Sequence, residues 1–242
     1  MKSGNPAFSS TTFDGLAASA EPMNLPGTIN KTAILLAITL IGAAWVWNVF
    51  SESHSAADIT PYLLAGGIGG FIVALITIFK KAASPYTSPV YALLEGFALG
   101  GISTVLEVKY PGIAIQSVGL AFGTMLCMLV AYRSGLIKVT EKFKMGVVAA
   151  TGAIAVLYLI DIVLMFFGKP ISFIHEGGFI GIAFSLFVIG IAALNRVMDF
   201  DFIAQGVANR SPKYMKWYAA FGLLVTLVWL YLEILRLLAK RK

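Results

Sequence analysis

The sequence predicts an all-α membrane protein, a seven-transmembrane-helix bundle, and three observations carry that reading. The 242 residues are 58% hydrophobic and only 12% charged, with a mean hydropathy of +0.85, whereas a soluble domain carries about 25% charged residues. A core of this size cannot absorb so much apolar side chain, but a lipid-facing surface can. Seven apolar stretches approach the ~20 residues that a helix needs to cross ~30 Å of hydrocarbon; they lie near 32–50, 61–79, 88–106, 112–132, 145–167, 178–200 and 217–238. The basic residues behind the net charge of +6 sit in short clusters between these stretches. That is the pattern of a positive-inside bias in a lipid bilayer, not of a surface that tracks nucleic acid.

Taken in order, residues 1–30 are polar and rich in Ser, Pro and Gly. They lack the charged start and early apolar core of a cleaved signal peptide and read as a cytoplasmic lead-in, partly disordered. The rest, 31–242, reads as one transmembrane domain with almost nothing left for loops. The first span is the run Thr32–Phe50, in which Trp45 and Trp47 suit an interfacial belt. Spans three and four are parted only by Tyr110-Pro111-Gly112. The single cysteine, Cys127, has no disulfide partner and no companions for a thiolate metal site, so it reads as a small buried hydrophobe. Glycines four residues apart, at Gly66/Gly70, Gly96/Gly100, Gly119/Gly123 and Gly177/Gly181, share a helix face and suit close backbone packing, with a glycine-lined path as the alternative.

Orientation follows from Lys and Arg on the two sides. With the N-terminus cytoplasmic, Lys2, Lys31, Lys80, Lys81, Arg133, Lys138, Lys142, Lys144, Arg210, Lys213 and Lys216 lie inside, against Lys109, Lys169, Lys240, Arg241 and Lys242 outside. The basic C-terminal end falls on the minority side, so either the tail is tolerated there or the seventh helix stops short.

Ionisable residues inside the spans carry the functional signal, because each costs about 2.5–3.5 kcal/mol or more at the bilayer centre. They are Glu95, Asp161, Arg196, Asp199, Asp201, Glu233 and Arg236. A rise of ~1.5 Å per residue suggests two layers, Glu95 and Asp199 with Arg196 towards the cytoplasm, Asp161 and Glu233 with Arg236 further out. Asp201 is expected at the water boundary. One reading makes these structural ion pairs, Arg196–Asp199 and Glu233–Arg236, that fix helix register. The other makes them a cation path whose carboxylates bind a hard ion, with protonation as a gate.

The segments around these charges resemble the Bax inhibitor family. Leu194–Ile203 (LNRVMDFDFI) is similar to the Asp-containing YD-x-x-x-I end of that family's sixth helix, and Ala220–Leu238 (AFGLLVTLVWLYLEILRLL) to its closing helix. SGNPAF near the N-terminus, GTINKT at 27–32 and YALLEGFALGG at 91–101 resemble the YccA-like bacterial branch. The resemblance covers most of the chain, through the order and spacing of these segments. It implies a seven-helix bundle with a central last helix in a bacterial inner membrane. It also implies a pH-sensitive calcium leak, closed in some members by an aspartate pair between helices six and seven. Asp199 falls on the sixth-helix aspartate; alignment through Arg236 puts Thr226 at the seventh-helix partner. A threonine hydroxyl can hydrogen-bond a carboxylate but cannot share a titrating proton with it. Lys80 and Lys81 are the nearest match to basic residues near the gate.

The resemblance points to Asp199 and Thr226, and the charges inside the spans add Glu95, Arg196, Asp161 and Glu233, as the expected ion path or gate; Glu233, two turns on from Thr226, does not simply replace the missing partner. Calcium is the ion the resemblance leads one to expect, with Asp199 and Glu95 its candidate ligands, and no cofactor is expected. A second function implied by the same branch is regulatory binding to a membrane-bound AAA protease, with the polar N-terminus as its handle. An enzyme is not expected: His54 and His175 fall in outer loops without a second metal ligand, HExxH and GxSxG are absent, and no deep lysine suits a Schiff base.

Overall fold

The computed structural model describes residues 21–241. Among them there is no β-strand, and seven helices are long and apolar enough to cross a membrane. The protein is a multi-pass membrane protein. The chain divides into two compact units, and the sixth and seventh spans each lend residues to both.

The first unit comprises the described chain up to Ala114 together with Phe202–Val225. Its first helix, α1 (Leu25–Ser53), begins seven residues earlier than the apolar run suggests. The Asn24 side chain accepts from Gly27 N at 2.8 Å and caps the start, with Pro26 in the first turn. Thr28, Thr32 and Thr39 return their hydroxyls to carbonyls four residues back, which lets polar side chains sit in an apolar helix. The second span is α2 (Ala56–Leu64), one wide π-type turn over Ala65–Gly69, and α3 (Gly70–Phe79). A 3-10 turn at Lys81–Ala83 leads into α4 (Ser84–Lys109), against which α1, α2 and α3 all pack.

Glycine sets how closely these helices approach. A Cβ on Gly96 would stand 3.1 Å from the Cα of Gly42, and one on Gly100 would stand 2.6 Å from the Ala43 carbonyl oxygen. Backbone meets backbone there, as expected where lipid supplies no hydrophobic drive. Gly119 and Gly123 are different: nothing described lies within 4 Å of a Cβ at either, so this pair is not a packing face. Glu107 makes the Tyr110-Pro111-Gly112 break a defined turn by accepting from Gly112 N and, at 2.9 Å, from Ala114 N. A carboxylate there satisfies helix-start donors that would otherwise be stranded. At the other end of this unit, Met23 N donates to Ser211 O at 2.7 Å. Lys213 meets Glu21 at 2.6 Å and holds its carboxyl below the usual range.

The second unit spans Ile115–Asp201 and the last helix from Thr226 onward. It contains α5 (Ile113–Arg133) from its third residue, α6 (Glu141–Phe166), the short α7 (Ser172–His175), most of α8 (Phe179–Ala208) and the second half of α9 (Met215–Arg241). α9 is the most deeply buried of the seven spans, followed by α4 and α8, while the others present Leu, Ile, Val and Phe outward. Trp45 and Trp47 are on such outward faces.

Three expectations change, and one of two open alternatives falls away. Cys127 is exposed on α5: an outward face is apolar in a membrane protein, so an apolar sequence context does not imply burial. His175 is not in a loop remote from acids but ends α7 beside Asp161. Lys144, taken as a loop charge, is buried in α6, 3.2 Å from Asp201. The seventh helix does not stop short: Lys240 Nζ reaches Phe173 O at 3.2 Å, which places the end of α9 at the α6–α8 connection. Of the polar lead-in, residues 25–30 are helical, and 1–20, with most of the proposed protease handle, lie outside the described residues.

Candidate functional site

α8 and α9 run antiparallel in the second unit, and their facing polar residues follow from helical spacing. Thr226, Trp229, Glu233, Arg236 and Lys240 recur at intervals of three and four and so share one face of α9. On α8, Ser185 and Asp199 are fourteen residues apart, as are Lys240 and Thr226 on α9. At 1.5 Å per residue, contacts at both ends bracket about 21 Å of a ~30 Å hydrocarbon layer.

At the first end, Asp199 and Arg196 are both 0% exposed and Thr226 is 2% exposed. Thr226 Oγ1 donates to Asp199 Oδ2 at 2.6 Å, and Arg196 Nη1 stands 3.9 Å from the same oxygen. A buried carboxylate needs both a donor and a nearby cation to remain tolerable, and here it has both. One residue before Arg196, Asn195 ties α8 to α6: its Nδ2 donates to Thr151 Oγ1 at 2.8 Å and to Ile191 O at 2.9 Å. Asp201, two residues past Asp199, meets Lys144.

Half-way along, Glu233 is 2% exposed and sits among three donors. Tyr158 OH lies 2.9 Å from Oε1, Arg236 Nη1 3.0 Å and Trp229 Nε1 3.3 Å. Arg236 also donates to the Tyr158 oxygen at 2.6 Å and lies over its ring. At the far end, Lys240 Nζ is held by three neutral oxygens, Ser185 Oγ at 3.1 Å and the carbonyls of Phe173 and Gly181 at 3.2 Å. Asp161 does not join Glu233; its carboxylate accepts from Ile171 N at 2.8 Å and meets His175 Nε2 at 2.6 Å.

The structure thus brings Asp199, Thr226 and Arg196 together, and separately Glu233 with Arg236. Glu95 belongs to the first unit, where its carboxylate lies against Gly70, 3.4 Å from where a Cβ would stand. Among the described residues no three His, Cys, Asp or Glu side chains gather as a metal cluster. The reading from sequence missed Tyr158, Asn195 and Lys240. The three-and-four spacing that links Lys240 to Glu233 and Thr226 was legible. Tyr158 and Asn195 carry no such local signal, since each is defined by the helix it faces.

The arrangement offers acid and base alternating along one seam, with Asp199 beside Arg196, Glu233 beside Arg236, and Lys240 held by neutral oxygens at the far end. Searches of curated proteins and of solved structures returned no match. The sequence model described as Bax inhibitor 1 like matches residues 5–242, which takes in every residue of the seam. The chain belongs to the Bax inhibitor 1 like family.

Proposed function

We propose that this protein is a bacterial inner-membrane cation leak, passing Ca²⁺ passively and in a pH-dependent way, with its N-terminus in the cytoplasm. The observation that carries this reading is the buried Asp199–Thr226 contact between α8 and α9. It falls where the family resemblance puts a closing aspartate pair. Asp199 neither faces lipid nor depends on Arg196 alone, because Thr226 supplies its short hydrogen bond. Asp199 attracts the cation, Thr226 holds the helices closed, and Arg196 balances the charge while the path is empty. Glu233 then lies about 10 Å further along the same face of α9 as a second acidic station.

Ca²⁺ is a hard cation that takes oxygen ligands, and Asp199, Thr226 and Glu233 offer oxygen alone. The test is Ca²⁺ flux into proteoliposomes at several pH values. Wild type is expected to exceed empty liposomes and to vary with pH. Asp199→Asn, which still accepts from Thr226 but carries no charge, is expected to fall to the empty-liposome rate. Wild-type flux equal to empty liposomes removes the proposal.

A further inference from the structure

We propose that the connection between α6 and α8 is a pH-responsive outer latch, in which the short helix α7 is held down by His175 on the buried Asp161 carboxylate. A four-residue helix cannot persist on its own hydrogen bonds, so α7 is held by what it touches. On one side Asp161, 4% exposed, takes both Ile171 N and His175 Nε2. On the other, the Phe173 carbonyl takes Lys240 from α9. Between these pins Ile174 is buried at 1% exposure and seats the turn.

The two pins differ in chemistry. Lys240 donates to two carbonyls and a hydroxyl, none of which titrates near neutral pH. The imidazole is the side chain whose ordinary charge change falls between pH 5 and 8. The His175 side chain is 39% exposed while that of Asp161 is 5% exposed, so the imidazole is the accessible partner and the carboxylate is shielded. Protonated, His175 adds the attraction of an ion pair to its hydrogen bond on the Asp161 carboxylate. Neutral, it keeps only the hydrogen bond. The other charges around α7 are Glu176 at its end, Lys169 in the connection, and Arg236, Glu233 and Lys240 on α9; α8 contributes the Ser185 hydroxyl. Arg236 bears on Asp161 and, with Glu233, on Lys240, but Arg236 and Glu233 are paired at 3.0 Å. The latch is therefore tightest in acid and loosens as pH rises. It sits at the Lys240 end of the α8–α9 seam, where it would cover the outer mouth, although its own behaviour does not depend on conduction.

Hydrogen–deuterium exchange of residues 167–178 in the full-length protein in nanodiscs, normalised for intrinsic exchange, tests this between pH 5.5 and 8. Wild-type protection is expected to fall by about fivefold with rising pH. His175→Gln, which can donate but does not titrate, is expected to show no slope, and His175→Ala low protection with no slope. Lys240→Met is expected to lose protection at every pH while keeping the slope. A flat wild-type profile, or a slope that survives in both His175 variants, overturns the latch. A slope in a protein without Ca²⁺ flux would leave the latch standing and remove the leak.

Discussion

Replacing Thr226 by Val removes one hydroxyl at nearly constant volume and leaves Asp199 buried without its 2.6 Å donor. Both residues are shielded, at 2% and 0% exposure, so water does not readily take over the bond. Hydrogen bonds to charged groups contribute about 1.5–3 kcal/mol. For a chain of this length each kcal/mol moves the melting temperature by about 2–4 °C, which gives a drop of about 3–12 °C. Thermal unfolding in detergent, followed by circular dichroism, measures it. Thr226→Ser keeps the hydroxyl and loses one methyl, a change costing about 0.5–1.5 kcal/mol, and should fall clearly less. A Thr226→Val protein that melts with wild type, or a Ser variant as damaged as the Val variant, would refute the reasoning.

Asp199→Asn leaves the Arg196 guanidinium buried without its carboxylate and should destabilise by about 3–5 kcal/mol, with Arg196→Met/Asp199→Asn recovering most of the loss in the same melts. Gly96→Ala should destabilise by about 1–3 kcal/mol, because the added Cβ meets the backbone of α1. Gly119→Ala, with nothing within 4 Å, should be neutral or stabilising by up to about 1 kcal/mol. Glu107→Ala should cost about 1 kcal/mol through the uncapped start of α5, seen as faster exchange of the Gly112 and Ala114 amides.

The seven spans were legible because membrane solvation imposes length and composition directly on the sequence. The ends were less so: α8 continues to Ala208 and α1 starts at Leu25, since capping by Asn24 and buried partners extend helices past their greasy centres. The meaning of Gly96 and Gly119 could not be separated in sequence, because the same spacing serves a packed face and an open one. Asp199 with Thr226 and Glu233 with Arg236 were legible, the first pair through resemblance and the second through a spacing of three. Asp161 with His175 was not, because the contact depends on the chain turning back through α7. Cys127 shows the opposite failure, in which an apolar neighbourhood was read as a core when the apolar medium is lipid.

The central claim is that the Thr226–Asp199 hydrogen bond holds α8 and α9 closed around an acid that admits the cation. Ca²⁺ flux measured side by side for wild type and Thr226→Val in matched proteoliposomes tests it most directly. Loss of the bond with the charge retained should raise flux above wild type, whereas flux equal to or below wild type, with the variant shown to be folded, would contradict the account.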